Sequence, residues 1–254
     1  MRGGAVGHLH ACRLPSCILD GKVLWLYKRG YVMGKIALRS DIPECVFGFV
    51  VARNCRYDNA GGIGREVERV VVLAKKGQDD PERTRIKGLV RDMLRFGRYK
   101  PTGRGKPASE YLEREALEGR FPVINPLADI NNVVSLEFLL PLSVFDLEKA
   151  NADEFLIRRG REGEGFVFNQ AGQVISLQDL IVVCRMPEDE PIGSPVKDSH
   201  KTKTWAQTKE ALYVVYAPDV LLRLAVEASM KVADLLCQFV TEDVEVCVVR
   251  SANV

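Results

Sequence analysis

Apolar and polar residues follow two rhythms along this chain, and the change between them divides it into stretches of strand and helix. Residues 23–27, 35–38 and 45–52 are short runs rich in β-branched and aromatic side chains, with Gly30 and Gly34 breaking between the first two, and each predicts a strand. After the turn Asn59-Ala-Gly-Gly-Ile-Gly64, Val67, Val70, Val71 and Ala74 recur at helical spacing. A second helical period, through Ile86, Val90, Met93 and Leu94, covers 81–97; a third, 107–119, opens on proline and closes on glycine. In the stretch 121–146, Asn125 followed by Pro126 predicts an N-cap with proline at the first helical position. Leu127, Ile130, Val134 and Phe138 then form an apolar seam that Pro141 stops. Beyond Asp146 the pattern turns to strands at 154–158, 166–168, 174–177 and 180–184, and their short connections predict antiparallel pairing. A Pro- and Gly-rich loop at 187–195 leads to a strand at 211–217, a helix at 219–239 and a last strand at 244–249.

Two segments carry more polar chemistry than their positions require. Asn125, Asp129, Asn131 and Asn132 crowd the start of the fourth helix, although such side chains ordinarily sit at turns and caps. Backbone N–H groups and side-chain dipoles converging at a helix start suit a polar ligand; the alternative is a capped helix whose Asn and Asp bond their own backbone. The second segment, Lys197-Asp-Ser-His-Lys-Thr-Lys-Thr204, is dense in donors and acceptors and lies in a long loop of the kind that often carries function.

Composition narrows the choices. At 254 residues and 46% hydrophobic the chain can bury a full core, and 36 basic against 34 acidic residues leave charge distribution, not net charge, to speak for nucleic acid. Arg83, Lys87, Arg91, Arg95 and Arg98 fall on one side of the second helix, and Lys100, Arg104 and Lys106 extend the basic character. Such a stripe suits phosphate contact; it equally suits a solvated face that pairs with acids elsewhere. No apolar run approaches the roughly 20 residues that span a bilayer. The opening lacks the apolar centre of a secretory signal, and seven scattered cysteines favour a reducing cytoplasm without disulfides or membrane attachment. His8, His10, Cys12 and Cys17 have zinc-ligand chemistry but no standard spacing, so residues 1–20 are read as a leader and no metal is assigned. Val67 stands where the third glycine of a dinucleotide fingerprint belongs, and no nucleophile-elbow, zinc-protease or Walker motif occurs, so no cofactor is expected.

The order of features resembles the B3/B4 domain of the bacterial phenylalanyl-tRNA synthetase beta subunit, in its free-standing versions. The similar residues are Ile124-Asn-Pro-Leu-Ala-Asp-Ile-Asn-Asn-Val133 with Ser135-Leu136, then Leu140-Pro-Leu-Ser-Val-Phe-Asp-Leu147, Ile157-Arg158 and Gly163-Glu164. Lys197-Asp198-Ser199, Thr208 and Ala211-Leu-Tyr-Val-Val-Tyr-Ala-Pro218 follow. The match covers roughly 105–218 closely, inside a single domain of 21–254. It implies an α+β fold with a three-layer β/β/α arrangement and mostly antiparallel sheets, contact with tRNA or aminoacyl-tRNA, and hydrolysis of a mischarged aminoacyl ester.

On that resemblance Asp198, Ser199 and His200 are the expected catalytic residues. Asn125, Asp129, Asn132, Ser135, Ser143, Glu164, Lys197 and Thr202 are expected to bind substrate, and Lys87, Arg91, Arg95, Arg98, Arg104 and Lys106 to hold RNA. Two departures stand out: Ser143 replaces the histidine of the synthetase's Pro-x-His-x-Phe-Asp element, and residues 197–200 replace its Gly-Gly-Glu loop, so tyrosine specificity is not inherited. The alternatives are a non-catalytic RNA-binding module and a binder of a small amino-acid-like metabolite. No feature of the sequence sets an oligomeric state. The ester reading requires the amide-rich helix start and the Lys-Asp-Ser turn to face one hollow.

Overall fold

The computed structural model describes residues 17–19, 22–28 and 30–250. His8, His10 and Cys12 lie outside these, and the question of a metal there lies outside with them. The strands are β1 (Cys17–Leu19), β2 (Lys22–Lys28), β3 (Gly30–Met33), β4 (Ile36–Ser40), β5 (Cys45–Ala52) and β6 (Leu142–Asp146). They continue as β7 (Glu154–Arg159), β8 (Gly165–Val167), β9 (Val174–Ser176), β10 (Ile181–Arg185), β11 (Glu190–Gly193), β12 (Ala211–Pro218) and β13 (Val244–Arg250). The helices are α1 (Ile63–Lys76), α2 (Pro81–Leu94), α3 (Ala108–Leu117), α4 (Pro126–Phe138), the single turn α5 (Leu147–Ala150) and α6 (Leu222–Phe239).

Six strands form one sheet in the order β1-β2-β13-β5-β12-β6, five form another in the order β11-β10-β7-β4-β3, and β8 and β9 make a separate hairpin. Pairing is antiparallel except between β2 and β13 and between β4 and β7. The fold is α+β with mostly antiparallel sheets.

Burial shows how the layers stack. Every position of β5, β6 and β12 is buried, as expected of strands covered on both faces. On one face Gly48 lies against Ser229 of α6, and the Tyr213 hydroxyl donates to the Leu127 carbonyl of α4 at 3.0 Å. On the other, Phe145 rests on Gly193 at the end of β11, and the Phe47 and Tyr216 rings meet edge to face at 6.1 Å. Helices, the six-stranded sheet and the five-stranded sheet therefore lie in that order. β6 is one edge of the larger sheet and β11 one edge of the smaller, and those two edges come together.

Several elements differ from expectation for identifiable reasons. α4 stops at Phe138, not at Pro141, because Leu139 takes a left-handed conformation (φ 56°) and turns the chain into β6. β6 itself continues an apolar run and is hidden in the sequence behind the helix. Pro191 and Gly193 disguise β11 as loop, yet proline is compatible with an edge strand. The glycine turn before α1 is a packing feature: a Cβ on Gly62 would collide with the Phe239 ring of α6. Cys184 and Cys247 are buried core thiols as expected, while Cys237 is partly exposed. No described helix is long and apolar enough to cross a membrane.

Gly48 permits the close approach of α6 to β5, since a Cβ there would overlap the Ser229 hydroxyl and lie 3.2 Å from the Val215 Cβ. Gly48→Ala is expected to lower stability by about 1–3 kcal/mol in urea denaturation, as overpacking of a tight core does. Adding Ser229→Ala should recover part of that loss; an undiminished loss would contradict the close approach.

Candidate functional site

The site grows out of the junction between the two sheet edges. β11 ends at Gly193, which forms an antiparallel bridge with Asp198. A side chain on Gly193 would collide with the Phe145 ring and stand 2.6 Å from Asp198 Oδ1, so glycine is required for the carboxyl to come this close. Between them the Ser194 hydroxyl folds the chain into a tight turn, accepting from the Val196 and Lys197 N–H groups at 3.3 and 3.1 Å and donating to the Lys197 carbonyl at 2.8 Å. The Ser199 N–H then donates to the Ile192 carbonyl at 2.8 Å. Asp198 is thereby delivered to the outer edge of β6.

There it meets Ser143. The Ser143 hydroxyl donates to Asp198 Oδ1 at 2.6 Å, which engages its only proton, so the buried Tyr216 hydroxyl, 2.9 Å away, donates to Ser143. Desolvation of the Asp198 carboxyl is the largest influence on its protonation. It outweighs the Ser143 hydrogen bond, the Lys203 charge and the N–H groups of Ser194 and Val144, and pushes the pKa up to about 7 from 3.8.

Asp198 faces a hollow of about 200 Å³. Asn125, Asn131 and Asn132 of the α4 region form one wall, Leu142 and Val144 of β6 the floor, and Val196, Lys197, Lys203 and Thr204 the far side. Drug-sized ligands occupy about 300–1,000 Å³, so this hollow takes something smaller. The Asn131 carbonyl oxygen on its wall is buried without a hydrogen-bond partner, a state that costs about 1–3 kcal/mol and that an incoming N–H would relieve. Burial, followed by the Lys203 charge, holds the Lys197 ammonium below the usual lysine value. The arrangement combines a carboxyl able to give or take a proton near neutrality, two ammonium groups, three carboxamides and an apolar floor.

The model of the B3/4 domain family matches residues 97–230, more than half of the chain. The chain belongs to the B3/4 domain family. Among solved structures it is similar to an N-terminal fragment of the phenylalanyl-tRNA synthetase beta-subunit from Pyrococcus horikoshii, at 12% identity and a TM-score of 0.41. That alignment covers 50% of this chain and 42% of the fragment, so the chain spans less than half of it. No curated protein matches.

Within this B3/4 domain the expected site residues separate into two groups. Asn125, Asn132, Lys197 and Asp198 line the hollow, and Ser143 stands behind Asp198. The others, His200 excepted, have partners elsewhere in the fold. Ser199 caps the 3-10 turn His200–Thr202 by accepting from the Lys201 N–H at 3.3 Å. His200 is exposed, and Thr202 is buried with its hydroxyl 3.5 Å from the Ile192 carbonyl. Ser135 donates to the Leu140 carbonyl at 2.7 Å, closing the end of α4. Glu164 receives both arms of the Arg158 guanidinium, at 2.7 and 2.9 Å.

Asp129 and Asn125 follow the capping alternative. Buried Asp129 accepts from the Ile124 N–H at 2.7 Å, and Asn125 accepts from the Ala128 N–H at 3.0 Å. Asn125 also donates to the Thr204 carbonyl at 3.2 Å, which pins the helix start to the far loop. The polar segment 197–204 includes Lys203 and Thr204, but sequence reasoning assigns no role to either of them, nor to Ser194 or Tyr216. Tyr216 is invisible because its hydroxyl reaches the site from the middle of an apolar strand.

The basic stripe also divides. Arg83 and Lys87 meet Glu113 of α3 at 3.1 and 2.8 Å, Arg91 is bidentate on Glu110, and Arg95 pairs with Asp92. Lys87 and Arg91 therefore join α2 to α3. The side chains of Arg98, Arg104 and Lys106 make no ion pair among the described residues and are exposed.

The carboxyl's protonation is directly testable. Carbon-13 NMR of Asp198 should titrate with a midpoint of about 7, and Ser143→Ala, which removes a donor to the carboxylate, should move that midpoint upward. Because folding raises the pKa, the native state binds more protons than the unfolded chain between about pH 4 and 7. Stability relative to Asp198→Asn should therefore decline across that window in thermal melts and level off above it. A midpoint below 5, or a pH-independent difference, would contradict the buried environment.

Proposed function

We propose that this B3/4 domain hydrolyses the ester of an aminoacyl-tRNA, with the hollow receiving the aminoacyl group and Asp198 as the general base. The observation that carries the reading is the Asp198 carboxyl itself, enclosed beside Ser143 and facing a polar hollow just large enough for a small ligand. A base with a pKa near the working pH gives the most effective proton transfer.

The ester is already activated, so water suffices as nucleophile. Ionised Asp198 takes a proton as the water oxygen attacks the carbonyl carbon; the C–O bond to the ribose breaks, and the proton passes to the departing ribose oxygen. The products are a free amino acid and a tRNA with a free terminal hydroxyl. All three lining the hollow, Lys203 and the Asn132 amide are assigned to the charge on the substrate's carbonyl oxygen and the unpartnered Asn131 carbonyl oxygen to its amino group. Ser143 is a positioning residue, since its proton already points at Asp198. Leu142, Val144 and Val196 suit an apolar amino-acid side chain of modest size. Arg98, Arg104 and Lys106, exposed and without an ion pair among the described residues, are assigned to the tRNA backbone.

A panel of tRNAs mischarged with different amino acids tests this. Release of at least one amino acid is expected, with a rate that rises through about pH 7 as Asp198 ionises and falls on the order of 10²–10⁴-fold in Asp198→Asn. No deacylation across the panel, or an unchanged rate in Asp198→Asn, would contradict the reading.

A further inference from the structure

A second concavity, of about 1210 Å³, lies beside the hollow between α3, the turn Gly103–Gly105 and the β8–β9 hairpin. Its two long walls differ in kind. On one side Glu110, Tyr111, Glu113, Arg114 and Leu117 recur at helical spacing, so a single face of α3 lines it. On the other side the lining residues are the consecutive Gln173, Val174, Ile175 and Ser176, with none from β8. Successive residues of a strand point to opposite faces, so four in a row set the edge of β9, not one face of it, against the groove.

That edge has no partner strand. Among the described residues β9 pairs with β8 alone, in the register Gly165↔Ser176, Phe166↔Ile175 and Val167↔Val174. The Phe168 N–H donates to the Gln173 carbonyl at 3.0 Å and the Leu177 N–H to the Glu164 carbonyl at 2.9 Å. Those two bonds fix the alternation, by which Gln173, Ile175 and Leu177 turn their backbone groups toward β8. Val174 and Ser176 therefore turn theirs outward. Both are exposed, and among the described residues nothing bonds to the N–H or C=O of either. A row of free donors and acceptors of this kind is a template for one more strand.

Side chains around the groove say what such a strand should carry. The Lys197 ammonium is set between the Tyr111 and Phe168 rings, 5.0 and 5.4 Å from their centres, and makes no ion pair among the described residues. Glu110 is paired with Arg91, Glu113 with Arg83 and Lys87, and Arg114 with Glu115. Arg104 and Lys106 stand exposed at the rim. The charge left facing the groove is therefore positive. Val174 and Tyr111, 66% and 43% exposed, add apolar surface between the cations.

We propose that an extended acidic segment of a partner protein docks here as an added strand on β9, its backbone bonded to Val174 and Ser176 and a carboxylate set against Lys197. Main-chain bonds to an exposed sheet edge supply affinity in such complexes, and contacts to alternate side chains supply selectivity. The inference stands on the groove alone and needs no reaction in the hollow. Arg104 and Lys106 are the cations assigned above to tRNA, so a segment seated here would compete with tRNA for them.

Amide hydrogen exchange followed by NMR, with an octapeptide of alternating valine and glutamate as the probe, tests this. The peptide should slow exchange at Val174 and Ser176, whose N–H groups gain partners, and leave Ile175 unchanged. Fluorescence anisotropy of the labelled peptide gives its affinity. Ser176→Pro, which deletes an outward N–H and spares the ladder to β8, should weaken binding on the order of tenfold. Lys197→Met should weaken it to a similar degree, about tenfold, and an octapeptide of alternating valine and lysine should bind at least about tenfold more weakly than the acidic one. Absence of binding, binding that leaves exchange at Val174 and Ser176 unchanged, or equal affinity for the two peptides would overturn the proposal. Slowed exchange at those two amides with a single-stranded RNA octamer but not with the peptide would overturn it as well.

Discussion

The hydrogen bond from Ser143 to Asp198 joins the edge of one sheet to the edge of the other, and the site exists because of that joint. β6 is the outermost strand of the six-stranded sheet, and Asp198 closes a bridge onto the last residue of β11, outermost in the five-stranded sheet. Bringing those edges together places a carboxyl where water is largely excluded, an arrangement that is unfavourable for its charged form. The fold tolerates it by aiming three donors at the carboxyl: the Ser143 hydroxyl and the backbone N–H groups of Ser194 and Val144. Gly193 makes the approach sterically possible, and Tyr216 completes the chain of donors from inside the core.

Chemistry follows from that constraint. A carboxyl balanced near neutrality, an unpartnered amide oxygen on Asn131, and two ammonium groups around a small apolar-floored hollow suit a ligand with both a carbonyl and an amino group.

Much of the fold was legible because the signals were local. The Val- and Phe-rich run at Cys45–Ala52 and the Asn125-Pro126 helix start depend on residues adjacent in sequence, and both elements begin where those signals lie. β6 and β11 were not legible: one merges with the apolar tail of α4, and the other contains the Pro and Gly that ordinarily mark a loop. At the site, the polar density of 125–132 and 197–204 was visible in the sequence. Which members face the hollow was not, since a hydroxyl such as Ser199, Ser135 or Thr202 bonds to nearby backbone or to solvent ligands with equal chemical ease. The stripe from Arg83 to Arg95 is mostly neutralised by Glu110 and Glu113, which lie three residues apart on the next helix. That pairing depends on how α2 and α3 pack and is absent from either segment alone.

The most direct measurement is a crystal structure with a non-hydrolysable aminoacyl-adenosine in which an amide replaces the ester. The account predicts the aminoacyl group in the hollow and its carbonyl carbon within reach of a water held by Asp198. An analogue seated elsewhere, or one bound with its aminoacyl group pointing away from Asp198, would contradict it.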